Sequence, residues 1–354
     1  MAKTIEVLVV DDSAFMRKML TDILDSTGDI RVSGTARNGL EALEKVKEIK
    51  PDVITLDVHM PAMDGLSCLR EIQKITDTPV IMLSSLTVDG GKATIEALES
   101  GAIDFITKPA GLFEISGEDK KTEIIEKIRM AYEVLKRKHG RKQAARPEAS
   151  AENKKDRDEK LKALIVIGTS TGGPKALQEV IPYIPEDISA AILIVQHMPP
   201  GFTKSLADRL NTLSGINVKE GEDEERIKPG FAYIAPGDFH MEVQKTKDGT
   251  MKIRLTKDKH MGGHRPAVNV LMKSIAKTGF PNVIGVIMTG MGSDGKEGII
   301  SIKESNKAVI ICQDEMSCVV YGMPKSAIST GIVDAIVPLK EIAGVIVKYM
   351  GVEQ

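Results

Sequence analysis

Short apolar runs alternate with helical patterns along this chain, and that alternation constrains the fold more than any other sequence feature. In the first part of the chain, five runs rich in β-branched residues predict buried strands: Val7–Val10, Val32–Ala36, Val53–Leu56, Val80–Leu83 and Phe105–Thr107. Patterns with a 3.6-residue period accompany them, for example Ala14–Leu24, Leu40–Ile49 and Ile124–Leu135. Repeated strand–helix units of this kind predict a doubly wound α/β domain, with a parallel sheet and helices on both faces.

The same alternation of apolar runs and helical patterns recurs later in the chain and predicts a second α/β domain. Its buried strands are expected at Ala163–Ile167, Ala190–Gln196, Val283–Thr289, Ala308–Ile311 and Ala335–Val337. Between residues 216 and 256 the pattern changes. Two alternating runs, Met241–Lys245 and Met251–Leu255, flank Lys247-Asp248-Gly249, which is typical of a β-hairpin. The second domain is therefore expected to be a Rossmann-like parallel sheet with an antiparallel hairpin.

A polar segment, Gln143–Glu159, separates the two predicted α/β domains and has too few large apolar residues to form a core. It predicts a linker, although a solvated extension of the preceding helix fits its first residues equally well. We accordingly expect one domain at residues 1–125, a helix extension and linker at 126–160, and a second domain at 161–354. A length of 354 residues suits two domains.

Composition excludes several classes of protein. Lys and Arg number 48 against 50 Asp and Glu, which argues against a protein that binds nucleic acid over its whole surface. Aromatic residues make up 3%, so stacking platforms for single-stranded nucleic acid are not expected. Three cysteines without zinc-type spacing indicate a reducing compartment, and no apolar run approaches the ~20 residues of a membrane span. The beginning of the chain lacks a signal-peptide pattern, so we expect a cytoplasmic protein.

Polar residues follow three strands of the first domain, where the carboxyl ends of a parallel sheet gather. Asp11-Asp12, Asp57 and Lys108-Pro109 stand at these ends, and Ser84 ends a fourth strand. Three carboxylates form an oxygen-rich pocket suited to Mg²⁺, and the lysine can neutralise a phosphoryl group on the central aspartate. An Asp pair before a serine is also typical of a helix cap, and Lys-Pro of a surface turn, so these readings stay open for each motif alone.

The combination resembles the receiver domain of bacterial response regulators, whose fold is flavodoxin-like. The resemblance covers residues 4–125 and includes the stretch from Asp57 to Gly65, Asp57-Val58-His59-Met60-Pro61-Ala62-Met63-Asp64-Gly65. It implies that Asp57 accepts phosphate and that a histidine kinase donates it. It further implies a metal site for Mg²⁺ and three phosphate-sensing residues. The metal ligands would be Asp11, Asp12, Asp57 and the carbonyl of His59, and the sensing residues would be Ser84, Phe105 and Lys108.

In the second domain, a serine, a histidine and an aspartate each follow a predicted strand. Ser170 lies in the glycine-rich turn Gly168–Gly173, His197 directly follows Ala190–Gln196, and Asp294 lies in the loop after Val283–Thr289. A serine nucleophile needs a base, and the base needs a carboxylate that holds its tautomer. Three alternatives stay open: the turn can consist of helix-capping hydroxyls or cradle phosphate, and Asp294 can be a helix N-cap.

The motifs GTSTGG, QHMP and TGMGSDG behind a receiver domain resemble the chemotaxis protein-glutamate methylesterase family, over essentially the whole chain. The resemblance implies a triad of Ser170, His197 and Asp294, with Thr171 and the backbone amide of Met291 at the oxyanion. It implies hydrolysis of glutamate methyl esters, and deamidation of glutamines, on the cytoplasmic helices of chemoreceptors. No cofactor is expected in this domain, and neither nucleic acid nor membrane insertion. Thr169 stands where many members have a smaller residue.

Two further segments, His264–Asn269 and Tyr321–Pro324, can line a substrate groove or can pack as surface loops. Met198, Met291 and Met323 can grip a receptor helix or fill core gaps.

Two other functions remain candidates for the second domain. One is nucleotide binding by the glycine-rich turn, but the acidic residues Glu186 and Asp187 stand at a poor spacing for ribose, and His197 and Asp294 then have no role. The other is DNA binding, which requires a compact basic helix-turn-helix unit instead of nearly 200 residues of α/β pattern. Release of methanol, binding of nucleotide and a DNA mobility shift distinguish the three.

Overall fold

The chain divides into two units between residues 145 and 146. The computed structural model describes residues 4 to 108, 118 to 138 and 160 to 351. The predicted linker Gln143–Glu159 and Pro109 lie outside the described residues.

The first unit contains a five-stranded parallel sheet in the order β2-β1-β3-β4-β5. Its strands are β1 (Ile5–Val10), β2 (Ile30–Ala36), β3 (Val53–Asp57), β4 (Val80–Ser84) and β5 (Asp104–Thr107). This is the flavodoxin-like strand order, so the fold predicted from the sequence is confirmed. Because β1 and β3 pair in parallel, with Val10 opposite Leu56, the residues that follow them meet at one edge of the sheet.

The helices of the first unit are α1 (Ala14–Asp25), α2 (Gly39–Ile49), α3 (Gly65–Ile75), α4 (Val88–Glu99) and α5 (Glu118–Lys138). Ser13 caps α1 by accepting a hydrogen bond from the Met16 amide at 3.4 Å. Leu20 and Leu24 of α1 are fully buried and pack in one core with Ile128 of α5. The cap of α1 is therefore Ser13, which leaves the side chain of the neighbouring Asp12 exposed at the sheet edge.

The second unit contains a seven-stranded parallel sheet in the order β14-β13-β12-β6-β7-β9-β8, and a separate hairpin of β10 and β11. The strands of the sheet are β6 (Ala163–Thr169), β7 (Ala190–Gln196), β8 (Asn217–Glu220), β9 (Phe231–Ile234), β12 (Val283–Ile287), β13 (Val309–Gln313) and β14 (Ala335–Val337). The hairpin strands β10 (His240–Lys245) and β11 (Met251–Thr256) pair antiparallel, as the sequence predicts.

Two strands, β8 and β9, are additions to the predicted sheet. They are four residues long, and β8 lies at the edge of the sheet with only Val218 buried. β8 has no continuous apolar run, which is why its sequence carries no strand signal, whereas β9 is apolar but only four residues long.

The helices of the second unit are α6 (Gly173–Gln178), α7 (Phe202–Leu213), α8 (Val268–Thr278), α9 (Lys296–Asn306), α10 (Gly322–Ile328) and α11 (Ile342–Tyr349). Strands β6 and β7 are buried along their whole length. β6 lies between β7 and β12, although β12 comes much later in the chain. The strand order therefore reverses at β6, and such a switch point opens a crevice at the carboxyl ends of the strands.

None of the three cysteines, all of which lie in the described ranges, forms a disulfide. Within those ranges no helix combines the length and the apolar character that a bilayer span requires.

Candidate functional site

Ser170 lies in a tight turn between β6 and α6, at the switch point of the second sheet. Its backbone amide donates to the carbonyl of Thr289 at 3.0 Å, and its carbonyl accepts from Gly173 at 2.8 Å. Gly172 has a φ of 75°, and a Cβ there would lie 2.6 Å from Cβ of Val319. The turn thus needs glycine on both conformational and steric grounds. The N-cap of α6 is Gly172, without a side-chain cap, so the hydroxyls of this turn do not serve as helix caps.

His197 lies beside Ser170, because the two residues follow paired positions of neighbouring strands. Thr169 of β6 is opposite Gln196 of β7, and the His197 amide donates to the Thr169 carbonyl at 3.2 Å. Paired strands lie roughly 4.8 Å apart, so the backbones of Ser170 and His197, which directly follow β6 and β7, start at about that separation.

Asp294 approaches His197 from the loop after β12. His197 Nε2 lies 2.8 Å from Asp294 Oδ2, and each side chain is 7% exposed. Because a carboxylate only accepts hydrogen bonds, Nε2 carries a proton and Nδ1 is the basic nitrogen. Nδ1 is buried and has no hydrogen-bond partner among the described residues. Nδ1 is thus the nitrogen of this buried imidazole that can accept a proton.

The Asp294 carboxylate is held by the backbone as well as by His197. Its Oδ2 also accepts from the Val268 amide at 2.6 Å, and its Oδ1 accepts from Asn269 and Gly295, each at 2.9 Å. Burial by itself would raise the pKa of Asp294, but the hydrogen bonds from His197 and from the backbone amides outweigh it and lower the pKa below its usual value of 3.8. Asp294 is therefore an ionised acceptor and not the N-cap of α9, a position that Gly295 occupies.

The Met291 amide, predicted at the oxyanion, donates to no acceptor among the described residues, whereas the preceding Gly290 amide donates to the Val320 carbonyl at 3.0 Å. Gly290 packs directly on Ser170, since a Cβ on Gly290 would lie 2.8 Å from Cβ of Ser170. The Thr171 carbonyl accepts from Thr289 Oγ1 at 2.9 Å. The oxyanion roles of Met291 and Thr171 remain predictions.

Gln196 links the turn that contains Ser170 to His197. Its Oε1 accepts from Thr169 Oγ1 at 2.7 Å, and its Nε2 donates to the carbonyls of Ser170 at 2.9 Å and His197 at 3.3 Å. The hydroxyl of Thr169 determines which end of the carboxamide faces the two carbonyls. The sequence places Gln196 in a strand and in the QHMP motif but assigns it no role, because its long-range contacts become visible only in the folded chain.

The segment from His264 to Asn269 contributes more to the site than the sequence indicates. The amides of Val268 and Asn269 hold Asp294, as described above, and Asn269 Oδ1 accepts from the amides of Gly295 at 3.1 Å and Gly298 at 2.8 Å. The ring of His264 stacks on that of His197, with centroids 3.8 Å apart and an interplanar angle of 10°. This segment supports the site and is more than a surface loop.

Two of the three methionines considered for substrate contact are buried. Met198 is 4% exposed and Met323 is 1% exposed, and Met323 belongs to the main core of the unit. For these two, the alternative of core packing is correct, because they have too little exposed surface to grip a partner. Met291 is only partly buried.

In the first unit, the predicted carboxylates come together at the sheet edge. One oxygen each of Asp11, Asp12 and Asp57 lies within 4.8 Å of the others. Lys108 Nζ lies 2.7 Å from Asp11 Oδ2 and 2.7 Å from Asp57 Oδ2. Asp11 and Asp57 are buried while Asp12 is exposed. Hard oxygen donors in such a group suit Mg²⁺, and the exposed member leaves access from solvent.

Burial and the Lys108 ammonium act in opposite directions on the pKa of Asp57. Burial raises the pKa of Asp57, with the neighbouring Asp11 charge acting in the same direction, and the Lys108 ammonium offsets this only in part. Burial would lower the pKa of Lys108, yet its two carboxylate partners raise it. The lysine therefore remains charged between two acids.

The roles of the remaining residues predicted around the phosphate stay predictions. Ser84 is fully buried and donates to the Gly90 carbonyl at 3.2 Å. Phe105 is buried, with Lys127 Nζ 5.0 Å from its ring centroid. The His59 amide donates to Asp57 Oδ1 at 3.3 Å. The carbonyl of His59 stays a predicted metal ligand.

Comparisons with known proteins match both units. Residues 165–346 match the family model CheB methylesterase, and residues 7–117 match the response regulator receiver domain. A relative from Syntrophomonas wolfei, named protein-glutamate methylesterase/protein-glutamine glutaminase 1, is 48% identical over 95% of this chain and 97% of its own. One from Bacillus subtilis, named protein-glutamate methylesterase/protein-glutamine glutaminase, is 46% identical over 96% of each chain.

A solved structure matches the second unit. The crystal structure of the Thermotoga maritima CheB methylesterase catalytic domain is similar with a TM-score of 0.50 and 44% sequence identity. The match covers 53% of this chain and 97% of that one.

Proposed function

This chain belongs to the CheB methylesterase family, with an N-terminal response regulator receiver domain, and from that membership we propose its activity and mechanism. It is a protein-glutamate methylesterase and protein-glutamine glutaminase of chemotaxis. It hydrolyses glutamate methyl esters on chemoreceptor helices and deamidates receptor glutamines, under the control of phosphorylation at Asp57. The observation that carries the proposal is the 2.8 Å bond between His197 and Asp294 beside Ser170, at the switch point of the sheet.

The first half of the reaction forms an acyl-serine. Ser170 Oγ attacks the ester carbonyl while its proton passes to His197 Nδ1, the basic nitrogen. The imidazolium that results is stabilised by Asp294, whose low pKa keeps it ionised. Negative charge develops on the carbonyl oxygen, where the amide of Met291 is the candidate donor. His197 then protonates the leaving methoxide, and methanol departs.

The second half restores the enzyme. Water gives a proton to His197 and attacks the acyl group, and Ser170 Oγ takes the proton back as the glutamate carboxyl is released. Deamidation follows the same steps with ammonia as the leaving group. One site therefore serves both activities, because both are acyl transfers through the same serine.

The receiver unit controls this chemistry through Asp57. Asp11, Asp12 and Asp57 fit Mg²⁺, which when bound neutralises charge on the incoming phosphoryl group. Lys108 pairs with the acceptor carboxylate and remains in place to neutralise the phosphorylated product. The donor is a chemotaxis histidine kinase. The substrates are cytoplasmic receptor helices, which places the enzyme in the cytoplasm.

The test is release of methanol from methylated receptor membranes. Wild-type protein is expected to release methanol, and Ser170→Ala is expected to abolish it with the unfolding transition unchanged. Ser301→Ala is the matched control, since its hydroxyl donates to the Glu297 carbonyl within α9 and takes no part in the site. Full activity of Ser170→Ala, or equal losses in both variants, would contradict the assignment. Nucleotide-binding and DNA-binding functions give no role to the His197–Asp294 pair.

A further inference from the structure

We propose that His264 is a positioning residue for this hydrolysis: its ring, stacked on His197, sets the plane of the catalytic imidazole so that Nδ1 faces Ser170. The role rests on the proposed function and deepens it. The sequence places His264 far from the three triad residues, and no motif connects it with them.

The hydrogen bonds of His197 leave its ring plane undetermined. Only Nε2 is bonded, to Asp294, and Nδ1 has no partner among the described residues. The ring is anchored at Cγ by its bond to Cβ and at Nε2 by one hydrogen bond, so it can still rotate about the line through these two points. Such a rotation swings Nδ1 away from its target. Something other than hydrogen bonding must therefore fix the plane before the substrate arrives.

The ring of His264 provides that constraint. The two imidazoles are 3.8 Å apart at their centroids and 10° from parallel, which is contact distance for flat rings. A tilt of His197 toward this face brings ring atoms into overlap, so contact with His264 limits the motion that the single hydrogen bond permits.

His264 is itself held by the chain around it. Met261 and His264 exchange backbone hydrogen bonds of 3.0 and 3.1 Å across a two-residue turn. The turn residues, Gly262 and Gly263, both have positive φ. Next in the chain, the Arg265 guanidinium binds the Asp238 carboxylate, with an Nε distance of 3.1 Å, and also donates to two backbone carbonyls. A tight turn on one side and a half-buried, hydrogen-bonded guanidinium on the other leave little freedom to the stacked ring.

The same segment also fixes the acid of the triad. The amides of Val268 and Asn269 bind the two oxygens of Asp294. One stretch of six residues therefore aligns the base through a ring contact and the acid through backbone amides. Such shared support keeps the relative geometry of His197 and Asp294 constant if the segment shifts.

The expected effect is on the chemical step and not on binding. A misplacement of about 1 Å in a catalytic group can cost on the order of 10²-fold in rate. We therefore expect His264→Ala to lower kcat roughly 10- to 100-fold with KM changed less than about twofold.

The test compares His264→Ala, His264→Leu and His264→Phe in the full-length chain. Phenylalanine keeps a flat ring without titrating, whereas leucine keeps bulk without a plane. Methanol release from methylated receptor membranes gives kcat and KM, and the rate at which diisopropyl fluorophosphate labels Ser170 reports serine activation without receptor. His260→Phe is the matched control, since His260 is exposed and directly precedes the same turn.

The expected result is that His264→Phe stays within about threefold of wild type while His264→Ala and His264→Leu lose kcat and labelling rate together. Unchanged kcat in His264→Ala, equal rescue by leucine and phenylalanine, or no rescue by phenylalanine would each overturn the role. If His264→Ala fails to fold, the leucine and phenylalanine variants decide. If wild type releases no methanol, the proposed function fails, and the labelling rates still decide the role of His264.

Discussion

Replacement of Asp294 by asparagine removes one charge and one acceptor while it preserves the shape of the side chain. In the wild type, Oδ2 accepts from His197 and Val268, and Oδ1 accepts from Asn269 and Gly295. A carboxamide has one oxygen, so whichever way it turns, its NH₂ group faces donors. With NH₂ in the Oδ2 position, His197 must accept at Nε2 and carry its proton on Nδ1. The base is then lost.

The size of the effect follows from this tautomer change. The same replacement in a serine-protease triad lowers kcat by about 10⁴-fold, because the histidine is held in the wrong tautomer. At about 1.36 kcal/mol per factor of ten, this corresponds to roughly 5.4 kcal/mol of lost transition-state stabilisation. A buried amide left without its acceptor costs a further ~1–3 kcal/mol of folding stability.

The stability loss should depend on pH. The pKa of Asp294 is below 3.8 in the folded protein, so its ionised form stabilises the fold at pH values above the unfolded pKa. That contribution disappears as the pH falls through the folded pKa. Wild type and Asp294→Asn should therefore differ most near pH 7 and converge in acid, as measured by urea unfolding at several pH values.

Methanol release and urea unfolding are measured on both proteins and on Asp334→Asn. The Asp334 carboxylate also accepts a hydrogen bond from a backbone amide, that of Ile310 at 2.7 Å. Asp334 directly precedes β14, at the amino ends of the strands, whereas Asp294 follows the carboxyl end of β12. We expect this control to lose stability without losing kcat. A kcat for Asp294→Asn within tenfold of wild type, or a stability difference that is constant with pH, would refute the reasoning.

Three further predictions concern both units. Ser170→Ala and His197→Ala should each remove nearly all activity, and the double variant should be little worse than either, because triad members act as a unit; additive losses would contradict this. A small phosphodonor with Mg²⁺ should label wild-type protein, and Asp57→Asn should abolish the label; label retained in that variant would exclude Asp57 as the acceptor. Lys108→Met leaves the buried carboxylates of Asp11 and Asp57 without a cation. The folded state should then keep protons on this pair at pH values where the unfolded state has already released them. Unfolding measurements should then show stability that falls from pH 4 to 7 and recovers with Mg²⁺, and a pH-independent loss would speak against the ion-pair role.

Much of the fold could be predicted because secondary structure depends on local periodicity. Strands β6 and β7 are buried on both faces, so their sequences are continuous apolar runs that identify them without any partner. Strand ends were equally informative. Residues such as Asp57, Ser170 and His197 directly follow such runs, and in a parallel sheet the carboxyl ends share one edge.

Features that depend on contacts between residues far apart in the sequence, or that lie at the edge of the sheet, could not be predicted from the sequence. Strand β8 has one buried residue and was not predicted. Met198 and Met323 could be either core or contact residues, and only burial showed that they belong to the interior. The stacking of His264 on His197 has no signal in either local sequence.

The set of strands, the helices between them and the chemical groups at each strand end can be predicted from the amino-acid sequence alone, since these depend on neighbours within a few residues. Which ends meet was decided by strand order. Along the chain, β9 is the strand of this sheet that precedes β12, but β12 pairs with β6 instead. This pairing brings Asp294 to His197, which lies 97 residues earlier in the sequence. That order depends on how whole faces of the sheet and helices pack together, and the free energy of such packing belongs to the folded chain rather than to any single segment.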